Sequence, residues 1–224
     1  MSLLYIVPTP IGNLEDISYR CLNVLKQVDY VLAEDTRVTK KLFLKYDIFT
    51  SLSSFHTYNE HKVLKKWINV LTNNKKVALV SDAGTPAISD PGFLLVRECI
   101  KNNIEVICLP GPTAFVPALV MSGIPMNNFV FEGFLPLKKG RISKLKFLEK
   151  EERTMVFYES PHRILKTLSD LIMFFGKERH ASISREISKT FEETKRGSLR
   201  ILLEFYKQNK PKGEFVIIIE GKNS

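Results

Sequence analysis

Cysteine, histidine and tryptophan are scarce in this chain, and the first two shortages each bear on a class of function. Its 224 residues include three cysteines, four histidines and one tryptophan. Cys21, Cys99 and Cys108 are far apart and odd in number, so they supply neither a disulfide framework nor a CxxC pair. Each is expected as a free, buried thiol. Histidine, cysteine and acidic residues nowhere recur at metal-ligand spacing, so no metal is expected. There is no GxSxG elbow and no Ser-His-Asp arrangement. Long apolar runs are missing too. The longest, such as Phe215-Val216-Ile217-Ile218-Ile219, have strand length, far below the ~20 residues of a membrane span. The opening Met1-Ser2-Leu3-Leu4-Tyr5-Ile6-Val7 has no basic leader and meets Pro8 too early for a secretory signal. The expectation is a cytoplasmic protein without membrane contact.

What is present describes a folded globule. Hydrophobic residues make up 44% and charged residues 25%, the balance of a soluble domain. The length suits one large or two ordinary domains. Lysine and arginine number 33 against 24 acidic residues, a net charge of +9. That excess favours a polyanionic partner such as nucleic acid, although a lysine-rich surface also serves solubility alone. The basic residues cluster. Lys138, Lys139, Arg141, Lys144 and Lys146 form one group, Lys189, Lys195, Arg196 and Arg200 a second, and Lys207, Lys210 and Lys212 a third.

The first half alternates strand and helix patterns. Leu3–Val7, Tyr30–Ala33, Ser51–Phe55, Val77–Val80 and Glu105–Leu109 read as strands. Ile17–Lys26 (capped by Asp16), Thr39–Lys45, Lys62–Leu71, Phe93–Ile100 and Thr113–Met121 read as helices. Repeated β-α units predict a mostly parallel sheet with helices on both faces. Ser122-Gly123-Ile124-Pro125 breaks the alternation and sets a boundary, giving domains 1–125 and 126–224. The second half has more extended segments: Phe129–Phe134, Thr154–Tyr158, His180–Arg185, Ser198–Leu203 and Glu214–Glu220. With helices at Arg141–Lys150 and Arg163–Phe175, it predicts a mixed sheet. The fold class is therefore α/β in two domains.

Unusual chemistry concentrates in the loops that follow strands. Ser81-Asp82-Ala83-Gly84-Thr85-Pro86-Ala87-Ile88-Ser89-Asp90-Pro91-Gly92 joins a buried strand to an amphipathic helix. Its glycines permit unusual backbone angles, its prolines fix φ, and its Ser-Asp pairs supply acceptors. Asp90 can cap the helix with Pro91 at its first position. A plain, well-capped connector would look similar, but the carboxyl end of a parallel strand is where open α/β sheets bind ligands. Pro8-Thr9-Pro10-Ile11-Gly12-Asn13 occupies the place of a Rossmann GxGxxG with one glycine and two prolines, which argues against a dinucleotide. Glu34-Asp35-Thr36-Arg37 puts charges at the end of an apolar strand, where a helix cap is the alternative. Pro110-Gly111-Pro112-Thr113 starts a helix and exposes backbone donors. In the second half, Tyr158-Glu159-Ser160-Pro161-His162-Arg163 and Arg185-Glu186 end strands in the same manner.

Taken in order, Val7 to Leu14, Glu34 to Arg37, Ser81 to Gly92, Pro110 to Pro112, Phe131-Glu132-Gly133-Phe134-Leu135-Pro136, Tyr158 to Arg163 and Arg185-Glu186 resemble the ribosomal-RNA branch of the tetrapyrrole-methylase superfamily. The resemblance covers nearly the whole chain. It implies two α/β domains with S-adenosylmethionine between them, a homodimer, and 2′-O-methylation of a cytidine in the decoding region of small-subunit rRNA, free or in the assembled subunit. By resemblance the cofactor touches Pro10, Ile11, Asp82, Ala83, Thr85, Ile88, Thr113, Ala114, Tyr158 and Glu159. The chain departs from the family at His56-Thr57-Tyr58-Asn59-Glu60, which lacks a second histidine. It also stops after Glu220-Gly221, where many relatives carry a further small domain, which bears on substrate docking rather than chemistry.

Residue chemistry divides the remaining roles. Arginine forks match phosphate oxygens and keep their charge, so Arg37 and Arg163, with Lys138, Lys139 and Arg141, are assigned to the RNA backbone. Removing the 2′-hydroxyl proton needs an acceptor: Asp35 is the first choice, Glu186 the second and His162 the third. Two other functions compete. A tetrapyrrole methyltransferase of the same fold would favour a glycine-rich first loop over Pro8-Thr9-Pro10. A non-catalytic ribosome binder would not need intact cofactor loops.

Overall fold

The computed structural model describes residues 2–222. The chain forms two compact units, Met1–Thr113 and Ala114–Ser224.

The first unit contains strands β1 (Leu3–Ile6), β2 (Tyr30–Ala33), β3 (Ser51–Ser54), β4 (Lys76–Val80) and β5 (Glu105–Cys108). They form an all-parallel sheet in the order β3-β2-β4-β1-β5. Helices α1 (Tyr19–Gln27), α2 (Thr36–Lys45), α3 (Glu60–Thr72) and α4 (Phe93–Lys101) cover it. Alternation along β4 explains its unbroken apolar sequence. Ala78 and Val80 pack with Cys21, Leu25, Leu42 and Phe43 of α1 and α2. Val77 and Leu79 pack with Trp67, Leu71, Leu95 and Cys99 of α3 and α4. A strand buried on both faces has no polar side to show.

The second unit begins with α5 (Phe115–Ser122). Its strands are β6 (Phe129–Phe134), β7 (Thr154–Glu159), β8 (His180–Arg185), β9 (Glu193–Ser198) and β10 (Phe215–Ile219). The order is β6-β7-β10-β8-β9, with β6 parallel to β7 and the other pairs antiparallel. Met155, Phe157, Ala181, Ile183, Phe215 and Ile217 share one core with α6 (Arg141–Leu148), α7 (Ile164–Phe175) and α8 (Leu199–Gln208). The intervening residues, Val156, Ser182, Ser184, Val216 and Ile218, face the other side, where α5 lies across the strands.

Several local expectations change. The units divide before α5, not at the Pro125 break, because α5 packs on β7, β8, β9 and β10. Ser198–Leu203 is not extended: Ser198 accepts from the Ile201 N–H and caps α8. The neighbouring strand is β9, a charged edge segment. Asp16 lies in a 3-10 turn, and the cap of α1 is Ser18, which accepts from the Cys21 N–H. The cap of α4 is Gly92 at φ 141°, not Asp90. Cys21 and Cys99 are buried as expected, but Cys108 on the outer strand β5 is exposed. Among the described residues no helix is long and apolar enough to cross a membrane.

Candidate functional site

The strand order of the first sheet creates a crevice. Strands β1 and β4 are neighbours, yet β1 runs on to α1 on one face and β4 to α4 on the other. Their loops part at the carboxyl edge, which is where parallel α/β sheets hold ligands. The loops are tied together in a fixed arrangement. Thr9 and Gly84 exchange two backbone hydrogen bonds of 2.9 Å. The Thr9 hydroxyl donates to the Ser81 carbonyl at 3.0 Å. The Thr85 hydroxyl lies 3.0 Å from the Pro112 carbonyl and 2.6 Å from the Thr113 hydroxyl, bringing in the loop after β5. A Cβ on Gly111 would lie 2.6 Å from the Pro8 Cβ, so only glycine allows these two loops to approach so closely. Pro10, Ile11, Asp82, Ala83, Thr85, Ile88 and Thr113 all lie on these three loops. Pro10 is buried, Ile11, Thr85, Ile88 and Thr113 are half-buried, and Asp82 and Ala83 are exposed. Ala87 and Ser89 are held at φ 69° and 68°, a left-handed conformation costing non-glycine residues roughly 1–3 kcal/mol each. The Ser81–Gly92 loop is strained and pinned, as a preformed cradle must be.

The loop after β2 joins the same edge. The Asp35 N–H donates to Asp82 Oδ1 at 2.9 Å. Asp35 itself caps α2, accepting from the Arg37 N–H at 2.8 Å. Its two oxygens also hold the Arg37 guanidinium, with Nη2 to Oδ2 at 2.6 Å. That side-chain pairing, helped by the Arg37 N–H, lowers the Asp35 carboxyl to about 2. A proton acceptor works best near the operating pH, so the cap and fork make Asp35 a poor base. Two neighbours behave oppositely. Partial burial pushes Glu34 up, and the charge of Asp82 adds to it. Partial burial also raises Asp82, with the charge of Asp35 adding. Arg37 keeps an 88% exposed side chain and can still reach a phosphate.

In the second unit, Ala114 is the N-cap residue of α5, and Tyr158 and Glu159 end β7. Glu159 is 2% exposed and sits in a polar network. It accepts from the Ser160 N–H at 2.8 Å and from the Thr167 hydroxyl at 2.6 Å, and it lies 3.4 Å from Arg163 Nε. Arg141 donates to that same hydroxyl, to Asp170 Oδ2 and to the Pro136 carbonyl. At 5% exposure, with each of its three guanidinium nitrogens donating inside the protein, Arg141 is not a phosphate contact. The expectation that placed it on RNA is corrected: it is the anchor of this network. Arg163 donates to the Leu135 carbonyl at 2.6 Å, so it too holds the chain around Leu135 and Pro136. Lys138 and Lys139 remain exposed, as does His162 in the turn before α7. Glu186 accepts from Lys189 Nζ and from the Glu214 N–H, each at 3.0 Å. Burial works to raise its carboxyl, but these partners outweigh that and leave it lowered. Glu186 is thus a brace for the Lys212-Gly213-Glu214 turn. Among the described residues no group of three or more His, Cys, Asp and Glu could hold a metal ion.

The family model described as Tetrapyrrole (Corrin/Porphyrin) Methylases matches residues 3–202. The chain belongs to the tetrapyrrole methylase family. Ribosomal RNA small subunit methyltransferase I of Thermotoga maritima is 48% identical over 222 residues, spanning 99% of this chain and 100% of that protein. The protein of the same name from Halalkalibacterium halodurans is 48% identical over 219 residues, 97% of this chain and 75% of that one. Among solved structures, a cobalt precorrin-4 methyltransferase aligns with TM-score 0.71 at 17% identity, covering 98% of this chain and 95% of that one. The methyltransferase CobJ aligns with TM-score 0.73 at 15% identity, covering 99% and 95%. At such identities the last two establish the fold alone.

Sequence reasoning on this methylase missed three features. Thr9 and Gly111 lie in loops that the sequence marks as unusual but have no role of their own there, yet they set the spacing of the crevice. Glu34 stands beside Asp35 in the same motif, and what distinguishes them is the partial burial of one and the arginine fork and helix cap of the other. The Glu159–Arg141 network had a sequence signal, since Arg141 shares the buried helical face of Leu145 and Leu148.

Two tests follow from this geometry. Arg141→Leu strands Asp170, which is 23% exposed. The expected loss is about 2–3 kcal/mol by urea unfolding, below the ~3–5 of a fully buried broken pair. An unchanged midpoint would show that the network carries no stability. Second, carboxyl titration by NMR should place Asp35 at about 2 and return it toward 3.8 in Arg37→Ala. Being lowered in the folded state, Asp35 contributes stability above its ordinary value, and that contribution disappears as pH falls toward 2. An ordinary titration in the parent chain would dissolve the assigned cap and fork.

Proposed function

We propose that this methylase transfers a methyl group from S-adenosylmethionine to the 2′-hydroxyl of a cytidine in the decoding region of small-subunit ribosomal RNA, as a cytoplasmic homodimer. The observation that carries this reading is the pinned crevice at the edge of the parallel sheet, in a chain 48% identical along its length to proteins named as ribosomal RNA small subunit methyltransferase I. The residues present fit the cofactor. Asp82 offers an exposed carboxylate for amino or hydroxyl donors, and Pro10, Ile11 and Ile88 supply apolar walls. S-adenosylmethionine supplies an electrophilic methyl on a sulfonium. The protein's task is then mainly to hold two partners in line.

The 2′-hydroxyl must also give up its proton. Asp35 and Glu186 are both lowered by their partners, which weakens the first two candidates. Glu34 and Asp82 are the carboxylates at this edge whose environments raise them. Asp82 already accepts from the Asp35 N–H and is assigned to the cofactor, so we assign the acceptor role to Glu34, with His162 as the remaining alternative. Asp35 is then a positioning group that fixes the loop through Asp82 and Arg37.

Radiolabelled methyl transfer to assembled small subunits, free small-subunit rRNA and a tetrapyrrole tests the reaction class. Label on the RNA, at a 2′-O-methylcytidine after nuclease digestion, is the expected result. Label on the tetrapyrrole alone would transfer the chain to the other branch of its family, and no label on any of them would leave a binder. For the cofactor, Asp82→Ala should weaken S-adenosylmethionine binding by about 1–3 kcal/mol, the cost of an unmet polar group. Calorimetry showing parental affinity in a folded variant would remove Asp82 from the site. For the base, single-turnover methylation at saturating cofactor and RNA should fall roughly 10²–10⁴-fold in Glu34→Gln, and less in Asp35→Asn. The reverse order would restore Asp35 as the acceptor.

A further inference from the structure

The second sheet carries an aromatic row, of which only Tyr158 is expected to touch the cofactor. Phe115 stands 6.1 Å from Phe129 and 4.8 Å from Phe131, ring to ring. Tyr158 sits edge-on between Phe131 at 5.1 Å and Phe134 at 5.7 Å. Three of these rings, Phe129, Phe131 and Phe134, belong to β6, the outer strand of the sheet. Within this unit, and among the described residues, three helices cover the opposite face while α5 lies over this one. Phe134 is consequently 51% exposed and Phe129 39%. A register shift between Phe131 and Gly133 turns the end of β6, so that Phe134 comes opposite Tyr158.

The chain that leaves Phe134 is basic and rigid. Leu137, Lys138 and Lys139 are exposed. The two carbonyls before them are held from below, Leu135 by Arg163 and Pro136 by Arg141. Those guanidiniums are in turn fixed by Glu159, Thr167 and Asp170. A buried polar network thus presents one aromatic ring and two ammonium groups on a fixed lip. Aromatic faces beside lysines suit unpaired nucleotides, whose bases stack on rings while phosphates meet the charges.

We propose that Phe134, backed by Tyr158 and flanked by Lys138 and Lys139, is a stacking platform for an unpaired base of the RNA substrate. This rests on the RNA reading above and sharpens it: the substrate is engaged as single-stranded RNA, because a paired base offers no free face. A second copy of the chain suits the patch less well. A two-fold contact centred here would bring two lysine pairs together, which repel. The bulge in β6 also interrupts the edge that strand pairing would need.

Fluorescence anisotropy of the full chain with a labelled single-stranded oligocytidylate tests the platform, over a range of salt. Phe134→Ala should weaken binding by roughly tenfold to a hundredfold, the loss of one stacked base, with the slope of log affinity against log salt unchanged. Phe134→Trp should retain affinity. The double variant Lys138→Ala/Lys139→Ala should instead flatten that slope by about 1.4, two released phosphate contacts at ~0.7 each. Parental affinity in Phe134→Ala would overturn the proposal, and so would an equal loss on a fully paired duplex. A Phe134→Ala variant that sediments as a smaller species yet binds RNA normally would assign the patch to a second copy. If the parent chain methylates rRNA while Phe134→Ala binds normally, the platform alone fails; if the parent neither binds nor methylates RNA, the functional reading fails with it.

Discussion

The paired backbone hydrogen bonds between Thr9 and Gly84 are the constraint on which the candidate site depends. They join loops that leave adjacent parallel strands for opposite faces of the sheet. Without the bridge, each loop would be an independent surface connection of the mobile kind. With it, the distance across the crevice is set by the sheet itself. The Thr9 hydroxyl on Ser81 and the Thr85 hydroxyl at Pro112 and Thr113 extend the same stitching over three strands. The central bridge is made by backbone groups, whereas its extensions need the hydroxyls of Thr9 and Thr85. The bridge is insensitive to side-chain identity except where space is lacking. Gly111 against Pro8 is such a place.

That stitching explains how the chain sustains the conformations of Ala87 and Ser89. Two left-handed non-glycine residues within three positions oppose folding of the loop by a few kcal/mol on the usual scale. A free connector would relax. This one cannot, because its near end is bridged at Gly84 and its far end enters α4 at Gly92, whose missing Cβ would otherwise lie 2.8 Å from Leu79. The strain is therefore imposed by anchors at both ends and held by the core beneath.

The sequence was most readable where burial was two-sided. Continuous apolar runs such as Val77–Val80 specify strands whose partners lie on both faces, and the parallel order follows from the alternating helices. Reading failed where a residue's type and its environment disagree. Glu193–Ser198 is almost wholly polar and carries no apolar alternation to mark a strand, yet it is an edge strand paired, among the described residues, with β8 alone. Leu199, Leu202, Leu203 and Tyr206 have helical spacing, but the first residues of that helix also read as extended. Arg141 looked like part of a surface lysine run, and its helical phase with Leu145 and Leu148 was the signal that it points inward. Asp35 was chosen from its place in a loop. Loop position cannot reveal that its carboxylate is spent on a helix cap and an arginine.

The two units therefore achieve rigidity by different chemistry, and this bears on how their functions can vary. The crevice of the first unit is held by backbone bridges, close glycine contacts and the hydroxyls of Thr9 and Thr85, so its shape changes with substitutions that alter space, φ or those two threonines. The lip of the second unit is held by charged side chains: Glu159 fixes Arg163 directly and Arg141 through Thr167, and the two arginines grip successive carbonyls at Leu135 and Pro136. Breaking one member of such a network leaves a buried charge without its partner, so the lip should be altered through its exposed residues rather than its anchors. Phe134, Leu137, Lys138 and Lys139 can change without touching the network. The geometry separates a crevice whose shape is fixed by its backbone ties from a lip whose outer surface is free of the network that holds it.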